Sequence, residues 1–205
     1  MPFKGAIMSE SYIPGATVVG MVFKEGVILA AEKRFAYGNF VVSRTGKKVF
    51  MINSTSGAAC AGMIADMQIL IRNMQAIVKM REMEVRREMA TNSIAKLMSV
   101  VMYNRKLMPF LTQVIIGGVE DKPSIYILDA LGSVIPDKYA VVGSGTEVAI
   151  GVVESEYKDG MQEEQAKQLA VKAIKAAIQR DTASGDGVDI LVITKQGVKE
   201  ETITF

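Results

Sequence analysis

The sequence contains no histidine. That excludes histidine-based triads, histidine general bases and histidine metal ligands together. A single cysteine, Cys60, is present, so no internal disulfide can form and no cysteine cluster exists for zinc. No metal or other cofactor is expected. This cysteine usage fits a reducing, intracellular compartment, and a cytoplasmic location is expected. The formal net charge is only +2. Charge therefore gives no reason to expect nucleic acid or an anionic membrane as partner. No window approaches the roughly 18 uninterrupted apolar residues of a membrane span. Residues 1–15 hold neither a long apolar core nor a twin arginine, so a secretory signal is not expected.

What is present is globular. The chain has 205 residues, of which 49% are hydrophobic. That length favours one domain with a substantial core. Residues 1–15 carry Pro2, Gly5, Pro14 and Gly15 and show no sustained periodicity. Residues 17–23 are rich in β-branched side chains. Lys24-Glu25-Gly26 reads as a turn, and residues 27–31 resume an unbroken apolar run. This predicts a hairpin with a strand buried on both faces. Glu32-Lys33-Arg34 then breaks the apolarity. Residues 40–43 and 48–52 read as further strands around the turn Thr45-Gly46-Lys47. The small residues of 57–62 allow close approach of another backbone or a ligand.

After Gly62 the period changes. Met67, Leu70, Ile71, Met74, Ile77 and Val78 follow helical spacing, with the methionines read as core filler. Residues 81–88 read as a charged link. Thr91-Asn92-Ser93 offers a cap for a second helix whose stripe is Ile94, Leu97, Met98, Val101 and Met102. Strands return at 111–119, 124–128 and 139–142. Gly143-Ser144-Gly145 is a sharp turn, Thr146 opens a short helix to 154, and residues 162–180 form a long one. Its inner face is Ala166, Leu169, Ala170, Ala173, Ile174, Ala177 and Ile178. Strands close the chain at 188–194 and 201–205. The order is strands, two helices, strands, two helices, strands, without repeat or linker. That predicts a segregated α+β fold with room for two sheets carrying helices outside them.

The pieces Gly15-Ala16-Thr17-Val18-Val19-Gly20, Ala31-Glu32-Lys33-Arg34, Gly46-Lys47-Lys48, Ala61-Gly62, Gly143-Ser144-Gly145 and Arg180-Asp181-Thr182-Ala183-Ser184-Gly185 carry a further signal in their joint spacing. Together they resemble the archaeal-type β-subunit of the proteasome core particle, from Gly15 almost to the end of the chain. The resemblance implies the N-terminal-nucleophile sandwich, two antiparallel sheets flanked by helices. It implies residues 1–15 as a propeptide, cleaved after Gly15 when active, and 16–205 as the single β-type domain. It implies seven-membered β-rings stacked on α-subunit rings, an ATPase cap upstream, and unfolded polypeptide as substrate of a threonine endopeptidase.

Residue roles follow by the same resemblance. Position 16 is that of the nucleophilic threonine, whose own α-amine is a leading candidate for the base that a weak hydroxyl needs. Lys48 supplies positive charge beside it, and Glu32 is the carboxylate partner that keeps a buried ammonium charged. Neighbouring strand residues face opposite ways, so Lys47 and Lys48 cannot both point inward, and the resemblance selects Lys48. Gly62 matches the backbone donor to the oxyanion, at a strand end before a helix N-terminus. Ser144, Asp181 and Ser184 match the set that orients the terminal residue, and Arg34 an arginine close to the site. Phe35, Cys60 and Ile64 are expected to line an apolar pocket for the side chain before the cut. Ala36 replaces a threonine that often grips substrate backbone.

This chain departs from the pattern at the nucleophile. Ala16 has no hydroxyl, so neither peptide attack nor self-cleavage of the propeptide is expected. Thr17 is not expected to substitute, because strand neighbours point to opposite faces. Two explanations are open. One is a nucleophile knock-out of an active subunit, favoured because the other site positions are all present. The other is a naturally non-catalytic subunit that shapes or assembles a mixed ring. A different N-terminal-nucleophile amidase is disfavoured by the Asp181–Ser184 segment.

Overall fold

The computed structural model describes residues 15–38 and 40–205. The propeptide assignment therefore lies, except for Gly15, outside the described residues. One five-stranded sheet has the order β10-β1-β2-β11-β12. It comprises β1 (Thr17–Phe23), β2 (Gly26–Glu32), β10 (Tyr139–Gly143), β11 (Val188–Thr194) and β12 (Gly197–Ile203). A second has the order β5-β6-β7-β8-β9. Its strands are β5 (Val49–Met51), β6 (Ser56–Gly62), β7 (Thr112–Val119), β8 (Pro123–Leu128) and β9 (Ile135–Asp137). Strands β3 (Phe35–Tyr37) and β4 (Phe40–Ser43) pair separately. Every pairing is antiparallel. Helices α1 (Ile64–Val85) and α2 (Thr91–Tyr103) pack on the second sheet, and α3 (Thr146–Glu156) and α4 (Glu163–Ile178) on the first.

The layers follow from strand alternation. On β1, Val19, Met21 and Phe23 join the cluster beneath α3 and α4, whereas Val18 and the preceding Ala16 join the cluster between the sheets. On β2, Val27, Leu29 and Ala31 face the other sheet while Ile28 and Ala30 face the helices. Both faces of these strands are covered, which is why their sequence is apolar throughout rather than alternating. Each fully buried Val, Leu, Ile or Met side chain here contributes about 1.5–3 kcal/mol of hydrophobic stabilisation. Along α4, Ala166, Ala170, Ala173 and Ala177 are fully buried. Their small side chains let the helix lie close on β1.

Several local readings need correction. Helix α1 continues through Val85, into the segment read as a charged link. Ile77 lies at the edge of its apolar stripe and is 38% exposed. Thr91 does not cap α2. Ala90 is the cap residue, and the Thr91 hydroxyl is buried against Ser56 Oγ at 2.9 Å. The short strands β3 and β9 carry too few residues for a periodicity to show.

Candidate active site

The first group of site residues forms where β2 ends. Glu32 is fully buried at the last position of β2, and Lys48, just before β5, is 1% exposed. The Lys48 ammonium donates to Glu32 Oε1 and, at 2.5 Å, to the Arg34 carbonyl. The second Glu32 oxygen accepts the backbone N–H groups of Arg34 at 2.7 Å and Gly185 at 3.0 Å. Burial pushes the Glu32 carboxyl above its ordinary range, opposed by the charge and hydrogen bond of Lys48 and by the two backbone donors. Burial likewise pulls the Lys48 ammonium below its ordinary range against the attraction of Glu32. Desolvation is the largest influence on both groups, and each is the other's main source of opposing attraction. Lys47 turns the other way, to Glu200 at the surface.

The second group gathers around residue 16. Ala16 and Thr17 are both fully buried. The Ala16 N–H donates to Ser144 Oγ at 3.1 Å. Asp181 Oδ2 lies 2.6 Å from both Ser144 Oγ and Ser184 Oγ, and Asp181 Oδ1 accepts the Ala183 N–H at 3.0 Å. Thr17 Oγ1 stands 2.8 Å from Ser184 Oγ. A carboxylate only accepts, so both serines direct their hydrogens to Asp181. Thr17 therefore donates to Ser184, and Ser144 keeps lone pairs for the amide of residue 16. Ala16 faces the inter-sheet layer, while the Thr17 hydroxyl lies on the opposite face of the strand, near Ala177 of α4 and the Gly145 backbone.

Two structural devices hold these groups in place. Arg34 donates to Asp186 Oδ2 at 2.8 Å and to the Thr182 carbonyl at 3.1 Å. Lys33 N–H also donates to the Gly185 carbonyl at 3.1 Å. The loop bearing Asp181 and Ser184 is thereby fastened to the strand end bearing Glu32. Gly62 ends β6 with φ +131°, and a Cβ there would lie 2.2 Å from the Leu111 carbonyl oxygen. Only glycine fits. Helix α1 begins two residues later with no side-chain cap, since its cap residue is Met63, and its first-turn Asp66 accepts the Leu111 N–H. A Cβ on Gly15 would lie 2.3 Å from Ser144 Oγ, so the junction too has room only for glycine.

The four pocket candidates are dispersed in environment. Phe35 and Ile64 both approach Gly46, within 3.8 and 3.7 Å of where its Cβ would stand. Ala36 is buried on β3. Cys60 is fully buried under α1, among Met67, Leu70 and Ile71, and burial pushes its thiol well above the ordinary range. Sequence reasoning missed Asp186 and Gln113. Asp186 lies between two glycines and looked like plain loop. Gln113 is a polar residue inside an apolar strand, which is a signal of a specific bond. Among the described residues, no His/Cys/Asp/Glu cluster is placed to hold a metal, and no helix is long and apolar enough to cross a membrane.

Comparisons to known proteins accord with the fold. A family model described as proteasome subunit matches residues 14–193. The chain is 55% identical over 191 residues to proteasome subunit beta 1 of Nitrosopumilus maritimus, covering 93% of this chain and 96% of that one. It is 53% identical to proteasome subunit beta 1 of Cenarchaeum symbiosum, covering 92% and 97%. It is 46% identical to proteasome subunit beta 2 of Pyrobaculum calidifontis, covering 96% and 97%. The chain belongs to the proteasome subunit family, as a β-type subunit of the core particle.

Proposed function

We propose that this chain is a proteasome β-subunit whose hydrolytic centre is complete except for the nucleophilic oxygen. The family is one of threonine peptidases whose β-subunits assemble into rings with other proteasome subunits. In the proposed centre, the hydroxyl of a threonine at position 16 would attack the scissile carbonyl, its proton passing to that residue's own free α-amine and on to the amine released as the C–N bond breaks, leaving an ester that water then hydrolyses. Lys48, held by Glu32 and the Arg34 carbonyl, would stabilise the developing alkoxide. Ser144, oriented by Asp181 with Ser184, would hold the amine of residue 16 in register. The N–H of Gly62, ahead of the uncapped start of α1, would receive the oxyanion. Phe35, Cys60 and Ile64 would shape an apolar pocket, with Ala36 contributing backbone alone. Substrate would be unfolded polypeptide, entering heptameric β-rings through α-rings and an ATPase cap in the cytoplasm.

The observation that carries this reading is the intact network around an alanine. Every buried side-chain nitrogen and oxygen among the described residues has a hydrogen-bond partner. The amide of residue 16 is already seated on Ser144. With Ala16, self-cleavage cannot proceed, and residues 1–15 remain attached as an uncleaved propeptide. Retention of the whole set favours a nucleophile knock-out of an active parent. The second reading, a naturally silent member of a mixed β-ring, draws support from the relatives' names, which number β-subunits 1 and 2. Co-assembling the Ala16→Thr variant with α-subunits and measuring peptide hydrolysis tests the proposal. Hydrolysis absent from Ala16 particles and present in Ala16→Thr particles is expected; no hydrolysis in either overturns it.

A further inference from the structure

The turn that presents Ser144 starts at Gly143, the last residue of β10, an edge strand of its sheet. Gly143 has φ +104°, and a Cβ there would lie 2.1 Å from the Ala16 carbonyl oxygen. Both of its backbone polar groups are held by side chains. Its carbonyl accepts from Thr146 Oγ1 at 2.6 Å, the residue that opens α3. Its N–H donates at 3.0 Å to Gln113 Oε1, which belongs to β7 of the opposite sheet.

The location of Gln113 gives that bond its meaning. Gln113 stands on the same face of β7 as Ile115, which is in the inter-sheet core, and directly opposite Ala61 of β6. Next to it, Thr112 pairs with Gly62, and the Thr112 hydroxyl donates to the Ala61 carbonyl at 3.0 Å. The Cβ position of Gly143 would lie 3.0 Å from the Ala61 side chain. One exposed glutamine thus bridges the two sheets at their open rim. It ties the strand end bearing Gly62 to the turn bearing Ser144.

We propose that Gln113 is a positioning residue that fixes the Ser144 turn, and through it residue 16, relative to the Gly62 strand end. This rests on the reading above that residue 16 is the reacting position. Gln113 touches neither substrate nor the reacting atoms in this scheme. Its loss would leave the Gly143 amide to water at the exposed rim, so the fold would survive while the turn loosened.

The test has two arms. In the chain as it stands, amide exchange at Gly143 is measured for the parent, Gln113→Leu and Gln113→Glu, the last keeping an acceptor oxygen. Loss of one hydrogen bond is expected to speed exchange about tenfold in Gln113→Leu, with Gln113→Glu near the parent rate. In the Ala16→Thr background, Gln113→Leu is expected to lower kcat about tenfold with KM within about twofold, and Gln113→Glu to restore most of it. Unchanged exchange in Gln113→Leu, or an unchanged kcat, overturns the positioning role. Should the Ala16→Thr chain be inactive throughout, the peptidase reading fails, and the exchange arm still decides whether Gln113 holds the turn.

Discussion

Ala16 and Ser144, 128 residues apart, meet through the Ala16 N–H and the Ser144 hydroxyl at 3.1 Å. The same hydroxyl stands 2.6 Å from Asp181, and its contact with the Ala16 carbonyl is longer, 3.3 Å. With one hydrogen to give, Ser144 gives it to the carboxylate. Residue 16 is therefore held by its amide on an oriented lone pair, whatever its side chain.

The Thr17–Ser184 contact is expected to behave as a coupled buried pair. Ser184→Ala leaves the Thr17 hydroxyl without an acceptor and is expected to cost about 1–3 kcal/mol. Adding Thr17→Val removes the stranded hydroxyl, so the double variant should cost less than the sum, by about 1 kcal/mol. Urea unfolding of the four proteins measures this, and strict additivity would contradict it.

Lys48→Met strands a buried carboxylate and is expected to destabilise by about 3–5 kcal/mol near neutral pH. The pH dependence has a definite sign. Burial already raises the Glu32 carboxyl above its ordinary 4.5, and Lys48 opposes that rise. Without Lys48 the folded value climbs further. A carboxyl raised on folding contributes stability that is present below its unfolded value and lost as pH rises through the folded value. The deficit of Lys48→Met against the parent should thus widen from pH 5 to pH 8 in unfolding curves. A constant deficit would show that Glu32 does not titrate in this way.

Asp186 adopts φ +68°, a region that Asn also tolerates, so Asp186→Asn isolates the charge. The hydrogen bond from Arg34 holds the Asp186 carboxyl below its ordinary 3.8. Its stabilisation is then present above that value and lost as pH falls through the folded one. A partly solvated pair of this kind supports a cost of about 1 kcal/mol for Asp186→Asn at pH 7, shrinking toward pH 3. Thermal melts across that range check the trend.

Gly62→Ala is expected to be severe. It combines a left-handed backbone with a Cβ 2.2 Å from the Leu111 carbonyl oxygen. A cost above about 3 kcal/mol follows, or a fall in Tm of about 10 °C.

The layer order was legible because changes of pattern mark it: short apolar runs bounded by turns up to Gly62, helical spacing from Met67, strands again near Thr112. Doubly buried β2 was readable from its unbroken apolar run. From local pattern alone the candidate site was legible only as scattered polar residues; the joint spacing of its motifs, through the family resemblance, is what grouped them. Nothing in the local pattern of Glu32 and Lys48 distinguishes a buried pair from surface charges, because the two residues lie 16 apart and are buried together only by the fold and by the distant Gly185 loop. Thr91 misled because its hydroxyl has a better tertiary partner in Ser56 than in its own helix. Asp186 acts across the fold, and its glycine neighbours carry no information about it; Gln113 is marked by its polarity inside an apolar strand, but its partner on the opposite sheet is not.

The central claim, a hydrolytic centre lacking one oxygen, is tested most directly by the intact mass of the assembled subunit. The chain as it stands should retain residues 1–15, and the Ala16→Thr chain should lose them and begin at position 16. An Ala16 chain that begins at Thr17, or an Ala16→Thr chain that keeps residues 1–15, would contradict it.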